Sequence, residues 1–149
     1  MAKQASRPSD SEGVRIVQRA YSHYRENTLE SIRGLITDDF QWDFVGPASI
    51  PWAGQYVGAA GMDRFFERVK AAIDVEAFEV DEVTGVDGVV VARGSSRARF
   101  KHSGAAYDAR WINLFRLREG KICHLTDLYD TGQIVEALLA APAAPGASR

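Results

Sequence analysis

Two side chains stand out for chemistry: the amide of Asn113 and the carboxylate of Asp127, both in the stretch YDARWINLFRLREGKICHLTDLYD from Tyr107 to Asp130. This stretch alternates, breaks at Arg118-Glu119-Gly120-Lys121 and alternates again, which predicts two long antiparallel strands joined by a tight turn. Side chains point to opposite faces in turn along a strand, so Tyr107, Ala109, Trp111, Asn113, Phe115 and Leu117 share one face of the first strand. In the second, Cys123, Leu125, Asp127 and Tyr129 share a face. Each strand thus sets one polar group among apolar neighbours, as a small-molecule pocket requires. Burying an unpaired carboxylate costs on the order of several kcal/mol. That cost raises its pKa toward the range of a general base. Asp127 is therefore the first candidate for moving a proton and Asn113 for donating to a substrate oxygen. The alternative for Asp127 is a place at an open rim, bonded to backbone or to Tyr107; for Asn113 it is satisfaction of a buried backbone group.

A second carboxylate, Asp43, lies in FQWDFV after a short helix. Simple alternation sets it on the side away from Trp42, where it would be solvent-facing and paired with a lysine or arginine; a bulge would turn it inward. Tyr21 and Tyr24 can each supply a phenol. Trp42, Phe44, Trp52, Tyr56, Phe65, Trp111 and Tyr129 are candidate pocket walls; aromatics at such spacing also serve as plain core, so two or three of Trp42, Trp52, Tyr56, Phe65 and Trp111 are expected to line a cavity. His124 falls on the face opposite Asp127, and Cys123 reads as a small core residue. His23, His102 and His124 show no metal-ligand spacing, so no metal is expected.

These residues must be positioned by the rest of the chain. Its 149 residues, 46% hydrophobic, suit one domain with a real core. The polar segment 1–13 reads as a disordered tail without the apolar centre of a signal peptide. Val14, Val17, Tyr21 and Tyr24 form one stripe of an amphipathic helix, and Thr28 can cap a second, short one. Asp38-Asp39 reads as a turn, and Phe40 to Val45 as an aromatic-faced strand. Residues 48–61 read as an ordered loop. A third helix follows over Met62, Phe65, Phe66, Val69 and Ile73. Glu76 to Val86 and Val89 to Phe100 are strands about the hairpin signal Asp87-Gly88, and residues 102–104 form the next turn. Asp130 can cap a last helix, with Gln133 three residues on as in a capping box. Residues 141–149 read as a disordered alanine/proline tail, leaving a single domain over 14–140. Segregated helices and a meandering sheet make an α+β fold, in which a curved sheet wrapped around helices leaves a cavity.

The segments VQRAY, TLESIRGLITDDFQWDFVGP, GQYVGAAGMDRFF and FRLREGKICHLTDLYD, in that order and spacing, resemble the nuclear transport factor 2-like superfamily in its SnoaL-like and ketosteroid isomerase-like branch. The resemblance covers Val14 to Leu139. It implies a cone-shaped α+β roll with a curved antiparallel or mixed sheet, a dimer formed through that sheet, and an apolar pocket. Relatives include isomerases, polyketide cyclases, epoxide hydrolases, dehydratases and proteins without catalysis, so fold does not fix function. In ketosteroid isomerase-like members an aspartate takes a proton beside a carbonyl while a tyrosine and a protonated acid hold the enolate oxygen, a case known from that enzyme itself. Carried onto this chain, the aspartate lands on Asp43 with a one-residue gap and on Phe44 without it. The tyrosine lands on Ala20, beside Tyr21 and Tyr24, and the acid lands on Asn113. In limonene epoxide hydrolase-like members an aspartate–arginine–aspartate set activates water. Asp127 matches one of those aspartates, but the other two positions fall on Gly94 and Ser96.

The reading is a cofactor-independent isomerase or cyclase acting by acid/base chemistry on a hydrophobic, carbonyl-bearing small molecule. Asp127 or Asp43 moves the proton; Asn113 and Tyr24 or Tyr21 hold the oxygen. The rival readings are a non-catalytic binding or accessory protein with the same pocket and, less favoured, an epoxide hydrolase-like or dehydratase activity. A net charge of −2 gives no pull toward nucleic acid or an anionic membrane. The period-two basic stripe Arg93, Arg97, Arg99 and Lys101 lacks interleaved aromatics and faces Glu79, Asp81 and Asp108 on neighbouring strands. No apolar run is long enough for a membrane span. The single cysteine makes a reducing cytoplasm the default.

Overall fold

The computed structural model describes residues 8–140, with side chains from Glu12 onward. Helix α1, Pro8–Arg25, buries Ile16, Val17 and Tyr21, with Val14 and Tyr24 at the margin of that stripe. It begins before Val14, where the apolar period starts; proline suits a first turn because its missing N–H would have no helical partner. Part of the segment read as a tail, 8–13, is therefore helical, and 1–7 and 141–149 lie outside the described residues. The short helix α2, Leu29–Ile32, runs into a 3-10 turn, Arg33–Leu35. Thr28 stands at the N-cap of α2, but its hydroxyl bonds the His23 carbonyl and ring instead of a helix N–H.

Strand β1, Ile36–Val45, runs straight through Asp38-Asp39, which is not a turn. Its pairing slips between Ile36 and Gln41, so the two acidic residues occupy an irregular stretch, and Asp39 meets Arg118 at 2.5 Å. The segment read as a loop contains a turn, a four-residue strand β2, Gly54–Val57, and the first turn of helix α3, Gly58–Ala72. One buried residue, Tyr56, gives β2 no alternation to read. Ile73 opens the next strand rather than ending the helix. Strands β3, Ile73–Val86, β4, Val89–Phe100, β5, Ala106–Arg118, and β6, Lys121–Tyr129, then follow as a meander. Asp87 and Gly88 both have positive φ, as do Glu119 and Gly120, the backbone signature of the two-residue turns that match strand twist. Helix α4, Thr131–Leu138, closes the chain with Ile134 and Ala137 buried. Asp130 is its N-cap, yet the bond there is from Gln133 N–H to the Asp130 carbonyl, and no capping box forms.

The sheet order is β2-β1-β6-β5-β4-β3, antiparallel throughout except where β1 lies parallel to β6. The fold is thus α+β, a curved mixed sheet around α1 and α3. Its curl has identifiable causes. β3 slips register twice against β4, between Val75 and Ala77 and between Val80 and Glu82, and such bulges bend a strand. Gly94 sits between: a Cβ there would lie 1.9 Å from the Glu79 carbonyl oxygen and 2.5 Å from the Trp111 ring. A strand glycine marks close approach of another backbone, here β3 folding over β4.

On the outer face Arg93 pairs with Glu82 and Asp81, Arg97 with Asp108, and Arg99 with Glu76. Beside these, Val45, Leu128 and Ile112 are register neighbours on β1, β6 and β5, and all three are exposed. No helix among the described residues is long and apolar enough to cross a membrane. Gly94→Ala is expected to destabilise the fold by about 3 kcal/mol or more, since the clash is with backbone, and to lower the melting temperature by roughly 6 °C or more in a calorimetric scan.

Candidate active site

The curled sheet, α1 and α3 enclose a cavity of about 130 Å³. Half of its wall is aromatic, with Tyr21 and Tyr24 from α1, Trp42 and Phe44 from β1, Phe65 and Phe66 from α3, Phe78 from β3, Tyr107 from β5 and Tyr129 from β6 among the rings. The polar exceptions are Ser96, Asn113 and Asp127. Among the described residues, no lysine, arginine or histidine lines it.

Asn113 and Asp127 face each other across the β5–β6 pair. The close spacing of opposite residues lets Asn113 Nδ2 donate to Asp127 Oδ1 at 2.7 Å. Trp42, on β1 parallel to β6, donates from its indole Nε1 to Asp127 Oδ2 at 3.0 Å. Behind Asn113, the Tyr21 hydroxyl donates to Asn113 Oδ1 at 2.6 Å, which orients the amide with its NH2 toward the carboxylate. The carboxylate is 5% exposed and the amide 6%. Burial pushes the Asp127 carboxyl up to about 7, against the opposing pull of the bonds from Trp42 and Asn113. Burial, and then the charge of Asp127, raise the phenols of Tyr21 and Tyr24, keeping them protonated donors. A carboxyl that ionises near neutrality inside an apolar chamber is equipped to take and return a proton.

Sequence reasoning brought Asp127, Asn113, Tyr24, Trp42, Phe44, Trp52, Phe65 and Tyr129 to this chamber, and all eight line it. Three other expectations are corrected. Asp43 is on the far face of the sheet, where it meets His124 Nε2 at 2.9 Å and Gln41 Nε2 at 3.0 Å, while Phe44 looks inward. The irregularity in β1 lies before Gln41 and leaves the later alternation intact. Trp111 faces inward but one layer too deep, stacked under Phe78 with centroids 5.0 Å apart. Tyr56 is core: its hydroxyl donates to the Trp52 carbonyl and accepts from Arg68. Cys123 also differs, because β6 slips beside it and Ile122 takes the inward place. Tyr21 rather than Tyr24 reaches Asn113; both were on the apolar stripe of α1. Phe66, Phe78 and Tyr107 were not singled out as walls, though Phe66 was readable from the period of α3 and Tyr107 from that of β5. The aspartate–arginine–aspartate arrangement is not assembled. Gly94 is pressed against Trp111, and Ser96 is the side chain at its other position.

The raised pKa has a stability consequence. Between the unfolded value of about 4 and the folded value of about 7, the native chain holds a proton that the unfolded chain has released, so stability falls as pH rises through that window and levels off above it. Asp127→Asn removes this slope. In urea melts, the variant is expected to gain on the parent between pH 4 and pH 8 by on the order of a few kcal/mol; a difference that does not change with pH would mean that the carboxyl titrates normally.

No curated protein matches this sequence. Solved structures do. A nuclear transport factor 2-like protein of Burkholderia thailandensis E264 aligns at TM-score 0.79 with 22% identity, over 86% of this chain and 98% of its own. A candidate isomerase of Bacillus subtilis aligns at 0.70 with 18% identity, over 86% and 93%. An LEH-like epoxide hydrolase of M. tuberculosis aligns at 0.68 with 14% identity, over 89% and 92%. At such identities the likeness is one of fold. The SnoaL-like domain profile matches residues 17–125, most of the chain. On that match, this chain belongs to the SnoaL-like domain family, and its fold is the one seen in the nuclear transport factor 2-like structures.

Proposed function

We propose that this protein is a cofactor-independent isomerase or cyclase whose base is Asp127. The observation that carries the reading is a carboxyl raised to about 7 on the wall of an apolar chamber. Ionised, it takes a proton from the carbon beside a substrate carbonyl, and negative charge passes from the carboxylate to the substrate oxygen. The site's net charge is unchanged in that step, which limits its electrostatic cost beside an apolar wall. Asn113 and Trp42 hold Asp127, and Tyr21 fixes Asn113. Because Tyr21 is so engaged, Tyr24 is the α1 phenol left to donate to the developing oxyanion. Return of the proton to a different carbon gives an isomer; attack of the enolate on a second carbonyl gives a ring. A reducing cytoplasm suits the single free cysteine, Cys123.

The test uses 3-cyclohexenone, a one-ring ketone whose conjugated isomer is read by ultraviolet absorbance. The expected rate rises with pH, is half-maximal near 7 and is flat above, because the base must be ionised. Asp127→Asn should lower it by about a hundredfold or more with the ketone still bound. A rate indifferent to that substitution would remove Asp127 from the mechanism. The second reading is a non-catalytic binding protein. It is favoured by the fact that Asn113, Tyr21 and Trp42 donate to one another or to Asp127 rather than into the cavity. A bound ketone with no isomerisation by the parent chain would select it.

We also propose that two copies meet through the outer sheet face, on the row Val45, Leu128 and Ile112. Contiguous apolar area of this kind marks an interface. Sedimentation should give a dimer, and Ile112→Lys with Leu128→Lys should give a folded monomer; a monomeric parent chain at micromolar concentration would end this proposal.

A further inference from the structure

Asp127 is a buried acid with only neutral company. Its oxygens accept from an indole and an amide, and none of the residues around the cavity carries a positive charge. Neutral N–H donors replace part of the hydration that a carboxylate loses on burial, but they do not neutralise it; buried charges are ordinarily paired. Arg25 is the cation whose field reaches Tyr21, yet it is exposed and stands outside the lining. Each Asp127 oxygen accepts one of the bonds described, so each retains a lone pair for a donor inside the chamber.

The remaining wall suits the same occupant. Tyr24, Trp42, Phe66, Phe78 and Tyr129 surround the space that Asp127 borders, and the electron-rich face of an aromatic ring attracts an organic cation. An anionic group, by contrast, would meet one negative charge and no positive one. The size is also informative: about 130 Å³ is close to the roughly 150 Å³ of an apolar cavity that takes up benzene.

We infer that the cavity binds a protonated organic amine about one ring in size, with the ammonium against Asp127 and the hydrocarbon on the aromatic wall. The inference rests on the chamber of the proposed reaction and on Asp127 bordering it, but not on turnover. An amine seated there would occupy the base and so compete with a ketone substrate.

The experiment is a calorimetric titration of the full chain at pH 8 with benzylamine, benzyl alcohol and benzoate, which share a ring and differ in charge. Benzylamine is expected to bind about tenfold or more tighter than benzyl alcohol, and benzoate weaker than either. In Asp127→Asn the amine should lose its preference and bind no tighter than the alcohol. Benzoate binding as tightly as benzylamine in the parent chain, or an amine preference that survives in the variant, would overturn the inference. The parent ranking decides even if the variant does not fold. Failure of the cyclohexenone assay leaves that ranking untouched, and a chain that isomerises the ketone but ranks benzoate first would overturn this inference alone.

Discussion

A carboxylate removed from water must be held by something, and in this chain it is held by two N–H groups that no local segment could have supplied together. Asn113 arrives from β5, Trp42 from β1, and Tyr21 reaches in from α1 to fix the amide. Each of those elements is in place for reasons of its own: the alternation of β5, the aromatic face of β1, the apolar stripe of α1. Their convergence ties the helix to the sheet. The same group that makes the interior costly to form is the one that gives it chemistry, a tension common at functional sites.

The curl of the sheet is what keeps that interior open. Aromatic rings large enough to fill it stand around it in tilted and edge-on pairs, Trp42 with Phe66, Tyr24 with Phe78 and Phe44 with Tyr129 among them. A flat sheet would let α1 and α3 close onto it. Bulges in β3 and the bare backbone at Gly94 fold the far strands over the helices instead, so the walls lean apart.

Much of this was legible in the residues alone, and the limits of legibility are physical. Strong local signals survived: Asp87-Gly88 and Glu119-Gly120 turn the chain, and the twofold period of β5 set Asn113 inward. Signals that depend on a partner did not. The slip beside Cys123 shifts the phase of β6 by one, which strict alternation within a strand cannot foresee. Asp38-Asp39 looks like a turn until Arg118 supplies a counter-charge for Asp39. Tyr21 and Tyr24 share a helix stripe, and only packing against β5 decides which phenol meets the amide. Trp111 and Tyr56 show that pointing inward is not the same as reaching a cavity, since depth belongs to the layer and not to the strand.

The parallel pairing of β1 with β6 has a kinetic side. The meander from β3 to β6 joins near neighbours through short turns and can zip by local steps. β1 finds its partner only across the span that separates Trp42 from Asp127, 85 positions along the chain. Closing so long a loop is entropically dear and slow relative to hairpin formation, so the β1–β6 seam is set to assemble last. On a ribosome, the acid and its indole donor would meet only after nearly all of the polypeptide had emerged, with one edge of β1 covered by β2 and the other waiting unpaired until then.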